Sequence, residues 1–235
     1  MRYCTTETAR PGSRETDLGR RAVLLGSATL MLSACKAPTL SLIADSTEKV
    51  FAAGAAAGDG VVNRRLIDSI PYSTLAVRVG SQPWALMVLS RAERGELRWV
   101  SGDGVIFVTA DGVLLRTQGM ERDLSWTFWQ QPSTKPWPQA GLQGASRRIG
   151  LRPPMEGPVP VDVSISAEGR VELSLFGETR KTTLYREQLN FPTWRWAAQN
   201  RYWVDQNGTV IQSVQHYCPS VPAITLAFVS HSHAA

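Results

Sequence analysis

Cys35 is the residue whose chemistry is written most plainly into this chain. It closes the run Arg20-Arg21-Ala22-Val-Leu-Leu-Gly-Ser-Ala-Thr-Leu-Met-Leu32-Ser33-Ala34-Cys35. A thiol here is the nucleophile that takes a diacylglyceryl group. Small Ser33 and Ala34 leave a signal peptidase room at the backbone, and cleavage after Ala34 frees an amino group for a further acyl chain of the palmitate type. The uncharged stretch from Ala22 to Ala34 is 13 residues long, short of the roughly 20 that a spanning helix needs. Extending it would place Lys36 in hydrocarbon at a cost of about 3 kcal/mol. Residues 1–34 therefore read as a lipoprotein signal peptide and residues 35–45 as a lipidated tether. The Arg20-Arg21 pair leaves the export route, Sec or Tat, open.

Tryptophan is the next chemistry on offer, with eight in 235 residues. Trp126, Trp129, Trp194, Trp196 and Trp203 are candidate glycan contacts, because the apolar faces of sugars stack on aromatic rings. The competing reading is core packing, since indoles bury large areas and favour strands. Trp194 and Trp196 are expected on one face of a strand with Thr193 and Arg195 on the other, which is the core pattern.

A glycan hydrolase would need two carboxylates facing each other across a cleft, and Asp103, Asp111 and Asp162 are the candidates. Asp103 and Asp111 lie in turn sequences, where aspartate is a good turn former. No acidic pair stands in an apolar surround, so no catalytic residue is assigned and a non-enzymatic protein is expected. His216 near Cys218 does not make a metal site, and His231 and His233 fall in the last residues, 230–235, read as a flexible tail. No nucleophile elbow or phosphate loop is present. No metal or cofactor is expected.

The formal charge of +5 falls to +3 once residues 1–34, with five arginines and three acids, are removed. Such a balance gives no support to nucleic-acid binding. Of the three cysteines, Cys4 leaves with the leader and Cys35 is lipidated. Cys218 then has no partner for an internal disulfide and reads as a small buried apolar residue.

The elements that must hold these residues follow from hydrophobic period and turn chemistry. Residues 46–229 read as one β-rich domain with a short helical start, Ser46 to Ala57 and a second turn from Val61 to Asp68. From Pro71 onward, short apolar runs are cut at Gly80-Ser81, Arg94-Gly95, Gly102-Asp103-Gly104 and Asp111-Gly112. That spacing predicts an all-β fold, an antiparallel meander closing into a barrel-like or sandwich domain. Gln130 to Pro160 reads as a long Pro- and Gly-rich excursion with a strand near Arg147 to Leu151. Strict alternation then predicts a hairpin of Val161–Ser166 and Val171–Leu175 about a turn at Ala167-Glu168-Gly169-Arg170. Further strands are expected at Lys181–Leu189, Trp194–Ala197, Arg201–Asp205, Thr209–His216 and Ile224–Val229.

Two blocks resemble the YjbF/GfcB family of lipoproteins. One runs from Pro71-Tyr72 and Arg78-Val-Gly80 through Trp99-Val-Ser101-Gly-Asp103-Gly104 to Thr109-Ala-Asp-Gly112 and Arg116-Thr117-Gln-Gly119. The other is Asn200-Arg-Tyr202-Trp203-Val-Asp205-Gln-Asn-Gly208 through Gln215. The order of lipobox, short helical region, meander and Tyr-Trp-Val-Asp block is also the family's, whereas the Trp-rich stretch after Leu124 and the long leader depart from it. The resemblance implies an outer-membrane lipoprotein of exopolysaccharide or group 4 capsule export with a barrel-like fold. Its partners would be the outer membrane, through acyl chains on Cys35, and export proteins or glycan. It supplies no catalytic residues. The expected role is a periplasm-facing, non-enzymatic accessory or scaffold. A polysaccharide-modifying hydrolase and a lipid carrier with an acyl chain in the barrel are the alternatives.

Overall fold

The computed structural model describes residues 62–129 and 145–229. Cys35, the helix expected at Ser46–Ala57 and the tail at 230–235 lie outside the described residues. One short helix, α1 (Arg64–Ser69), comes first, its N-terminus capped by Asn63 Oδ1 accepting from the Leu66 amide. Twelve strands follow: β1 (Thr74–Val79), β2 (Ala85–Glu93), β3 (Glu96–Ser101), β4 (Ile106–Ala110), β5 (Val113–Gln118), β6 (Asp123–Trp129), β7 (Ala145–Arg152), β8 (Glu156–Leu175), β9 (Glu178–Phe191), β10 (Trp196–Val204), β11 (Val210–Gln215) and β12 (Ile224–Val229).

All twelve belong to one antiparallel sheet in the order β5-β4-β3-β2-β1-β12-β11-β10-β9-β8-β7-β6. The sheet curls into a nearly closed barrel whose two edges, β5 and β6, meet without a regular ladder. Side chains bridge that seam instead. Thr117 Oγ1 donates to Asp123 and accepts from the Leu124 amide, Asp123 also accepts from the amides of Gly119 and Met120, and Thr127 Oγ1 donates to the Leu115 carbonyl. Edge groups that would otherwise be orphaned are satisfied in this way.

The turn signals in the sequence hold where backbone chirality demanded them. Arg94-Gly95 and Asp111-Gly112 both have two successive positive φ angles, the type I′ geometry that suits the twist of paired strands. The Ala167–Arg170 turn does not exist. β8 runs through it as a single 20-residue strand with a bulge between Ala167 and Gly169, and the hairpin turns at Phe176-Gly177. The bulge explains the misreading, because one extra residue interrupts the alternation much as a short loop does. It also reverses which face is buried. Before it, Val161, Val163 and Ile165 face the interior beside Tyr185, Glu187, Leu189 and Phe191 of β9; beyond it, buried Leu173 and Thr182 belong to the opposite phase. The distal half of the β8–β9 hairpin thus projects past β10 as an arm.

The arm packs beside α1. Leu175 and Phe176 join Ile67 and Ile70 over the outward face of β1, β2 and β12, where Ala76 pairs with Ala227 and leaves room for the helix. Phe176 meets Trp84 edge-to-face at 5.4 Å, and Arg64 pairs with Glu178 at 2.6 Å. β1 is covered on both faces here, so its first four residues are all buried. The main core fills the barrel interior with Trp99, Phe107, Ile149, Leu151, Leu189, Phe191, Tyr202 and Leu226 among others. Each such side chain contributes about 1.5–3 kcal/mol relative to exposure.

Candidate functional site

The interior holds a polar cluster that apolar packing does not require. Glu187 on β9 is 1 % exposed and sits in phase with Tyr185, Leu189 and Phe191. Its carboxylate meets Arg147 Nη1 at 3.4 Å and accepts from Asn200 Nδ2 at 2.7 Å and from Tyr202 Oη at 2.9 Å. Gln215 Oε1 lies 3.3 Å from the same phenol and accepts from the Leu114 amide at 2.9 Å, while its Nε2 donates to the Gly112 carbonyl at 2.8 Å. Asn200 Oδ1 accepts from the His216 amide at 2.7 Å. Four strands on one wall are thereby tied to the β4–β5 turn opposite. β5 lies against β11 across the interior, and a side chain added at Gly112 would overlap Val210.

Burial sets the electrostatics. The Tyr202 phenol is pushed well above its usual range, first by desolvation and then by the Glu187 charge beside it, so it is held neutral as a donor. Burial also lowers the His216 imidazole below the ordinary histidine value, disfavouring its charged form. Arg147 carries its charge 5.3 Å over the Trp129 ring, and its Nε has no hydrogen-bond partner among the described residues. The enclosed space beside it, lined by Arg147, Leu124, Thr127, Gln215, His216 and Tyr217, is about 10 Å³. That is room for a single water, far below the roughly 300–1,000 Å³ of a ligand pocket.

The tryptophans singled out above do not form one strip. Trp126 lies against Gly150, where a side chain would overlap its indole. Trp129 packs on Arg147. The strand expected at Trp194–Ala197 is instead a 3-10 turn, Pro192–Trp194, followed by Arg195 in the left-handed region at φ +48° and then β10. Trp194 and Trp196 therefore do not share a strand face. Both still pack on buried Phe191, at 5.1 and 4.8 Å between ring centroids, and Trp194 Nε1 donates to Glu156 at 2.7 Å. Trp203 is half-buried on β10 between Leu184 and Gln212.

The acidic candidates are dispersed. Asp103 precedes β4, held by Ser101 Oγ, and Asp111 follows it. The five-residue strand between them spans about 17 Å, against the roughly 5–9.5 Å of a glycosidase pair. Asp162 is exposed on β8 and accepts from Asn190 Nδ2 at 3.1 Å. Cys218 is buried, with Ser220 Oγ at 3.4 Å. Among the described residues no three His, Cys, Asp or Glu side chains are grouped to hold a metal, and no helix is long and apolar enough to cross a membrane.

Sequence reasoning missed the Arg147–Glu187 cluster although a signal was present. Alternation in Tyr185-x-Glu187-x-Leu189-x-Phe191 places Glu187 among apolar partners, and Ala145-x-Arg147-x-Ile149 does the same for Arg147. A charge in phase with core residues calls for a buried partner.

The fold and this interior define a nearly closed, twelve-stranded β-barrel-shaped domain whose lumen is occupied by its own side chains. The chain belongs to the family described as "Group 4 capsule polysaccharide lipoprotein gfcB, YjbF", whose model matches residues 44–229. It is 25 % identical over 194 residues to the "Uncharacterized lipoprotein YjbF" of Escherichia coli (strain K12), covering 80 % of this chain and 87 % of that one. The crystal structure of the hypothetical lipoprotein YmcC from Escherichia coli (K12) shares the fold with a TM-score of 0.63 at 24 % identity, over 79 % of this chain and 97 % of that one.

Proposed function

We propose that this protein is a non-enzymatic accessory or scaffold of capsule or exopolysaccharide export, held at the outer membrane by acyl chains on Cys35 with its domain facing the periplasm. In this reading residues 1–34 are removed, 35–45 form the tether, 46–229 are one domain and 230–235 a tail. The observation that carries it is the self-filled barrel of a capsule polysaccharide lipoprotein family member. With the lumen occupied, contacts to glycan or export proteins fall to the outer faces and rims. The outer face carries exposed or half-exposed ion pairs such as Arg91 with Glu93, Arg116 with Glu96 and Arg186 with Glu168. That surface suits water rather than the apolar band of a spanning barrel.

The two alternatives draw less support. A carrier needs a cavity for an acyl chain, and the enclosed space beside Arg147 is about 10 Å³. A hydrolase needs paired carboxylates, and Asp103 and Asp111 stand at opposite ends of β4. Replacing Cys35 by serine tests the leading reading. The expected result is unprocessed precursor, loss from outer-membrane fractions and less surface polysaccharide. Normal fractionation with normal polysaccharide would overturn it.

A further inference from the structure

The outer face of β2–β7 carries a groove that neither the interior cluster nor the tryptophans explain. Two concavities of about 330 and 360 Å³ share Arg98, Val108 and Arg116 and so run into one another. The register places these three side by side. Arg98 of β3 pairs with Val108 of β4, which pairs with Arg116 of β5, so two guanidiniums flank an apolar floor. Arg152 of β7 lines the same groove across the β5–β6 seam. Arginines thus recur on every second strand, about 10 Å apart at the usual strand spacing.

Their charges are not all consumed. Arg98 is exposed and has no ion-pair or hydrogen-bond partner for its side chain among the described residues. Arg152 uses Nε on Ser125 Oγ at 3.1 Å and leaves its terminal nitrogens open. Glu96 takes one edge of Arg116, and a guanidinium with five donors keeps others free. Asp123, the acid beside Arg152, turns its oxygens to Thr117, Gly119 and Met120 at the seam, and Glu93 pairs with Arg91, so five arginines against three acids leave the groove net positive. A long, shallow, positively lined track over an Ile106–Val108 floor has the wrong shape for a small molecule in a closed pocket. It fits a polymer with regularly spaced carboxylates, which guanidiniums grip bidentately.

We propose that this groove binds a linear acidic glycan, its carboxylates paired to Arg98, Arg116 and Arg152 and its sugar rings laid on Ile106 and Val108. The proposal rests on the polysaccharide reading above and adds the ligand's class and the surface that takes it. The full chain, purified in detergent, is titrated calorimetrically with polygalacturonate, which has one carboxylate per sugar, and with neutral dextran of matched length.

Saturable binding to polygalacturonate, absent with dextran and weakened by added salt, is expected. The pair Arg98→Ser and Arg152→Ser should weaken it about tenfold. Arg180→Ser with Lys181→Ser, the same charge removed from the β8–β9 arm, should stay within about twofold. Arg98→Glu alone, at an exposed position without a side-chain partner among the described residues, should weaken binding at least as much, about tenfold or more, with the fold intact by circular dichroism. Equal losses in the groove and arm variants, unchanged affinity in Arg98→Glu, or dextran binding as well as polygalacturonate would overturn the proposal. If polygalacturonate fails to bind while Cys35→Ser still depletes surface polysaccharide, the groove assignment falls and the export role stands.

Discussion

Glu187 shows what one buried charge demands of its neighbours. Its carboxylate is neutralised by Arg147 and hydrogen-bonded by Asn200 and Tyr202, all of them buried. The desolvation of such a pair is recovered only while every partner is in place. Glu187→Ala leaves the Arg147 guanidinium charged and buried, with Nε already lacking a partner among the described residues, and should cost about 3–5 kcal/mol. Arg147→Met combined with Glu187→Leu removes both charges and should recover most of that loss. Urea unfolding midpoints of the single and double variants measure the difference. A double variant no more stable than Glu187→Ala alone would show that the cluster matters for shape rather than for charge.

Strands and turns were legible where the rule that makes them is local. Arg94-Gly95 and Asp111-Gly112 announce tight hairpins because only certain residues tolerate positive φ. The consequences of those two turns nevertheless differ. Gly95 has φ +82° with nothing within 4 Å of an added Cβ, whereas Gly112 has φ +80° and Val210 in the way. Gly95→Ala should cost about 1–2 kcal/mol of backbone strain. Gly112→Ala adds overpacking of about 1–3 kcal/mol, and thermal midpoints should separate the two. Equal midpoints would mean that the β4–β5 turn is not pressed onto β11. The 20-residue β8 is not legible locally because a bulge and a turn both interrupt alternation, and only the pairing of Gly169 with Leu184 distinguishes them. The place of Trp194 is hidden for a related reason. Pro192 begins a 3-10 turn there, and the left-handed Arg195 restarts the strand.

Closure is a property of the whole molecule. β5 and β6 are neighbours in sequence and would finish the barrel with a ladder, yet Asp123 and Thr117 close it through side chains. Asp123→Ala releases the Gly119 and Met120 amides and frees two strand edges. The expected outcome is faster hydrogen exchange at Leu124 together with concentration-dependent self-association in sedimentation, since unpaired edges recruit other chains. Unchanged exchange would show that apolar contacts alone hold the seam. By itself, the sequence determined the all-β class and the positive-φ hairpins, because each depends on residues within a few positions of one another. Tertiary structure alone decided that the barrel fills its own lumen, that the β8–β9 arm turns its apolar face outward, and that Leu114 meets Gln215 across 101 residues of chain. The physical reason is that pairing between distant strands is chosen by total burial and polar satisfaction, quantities that no local pattern contains.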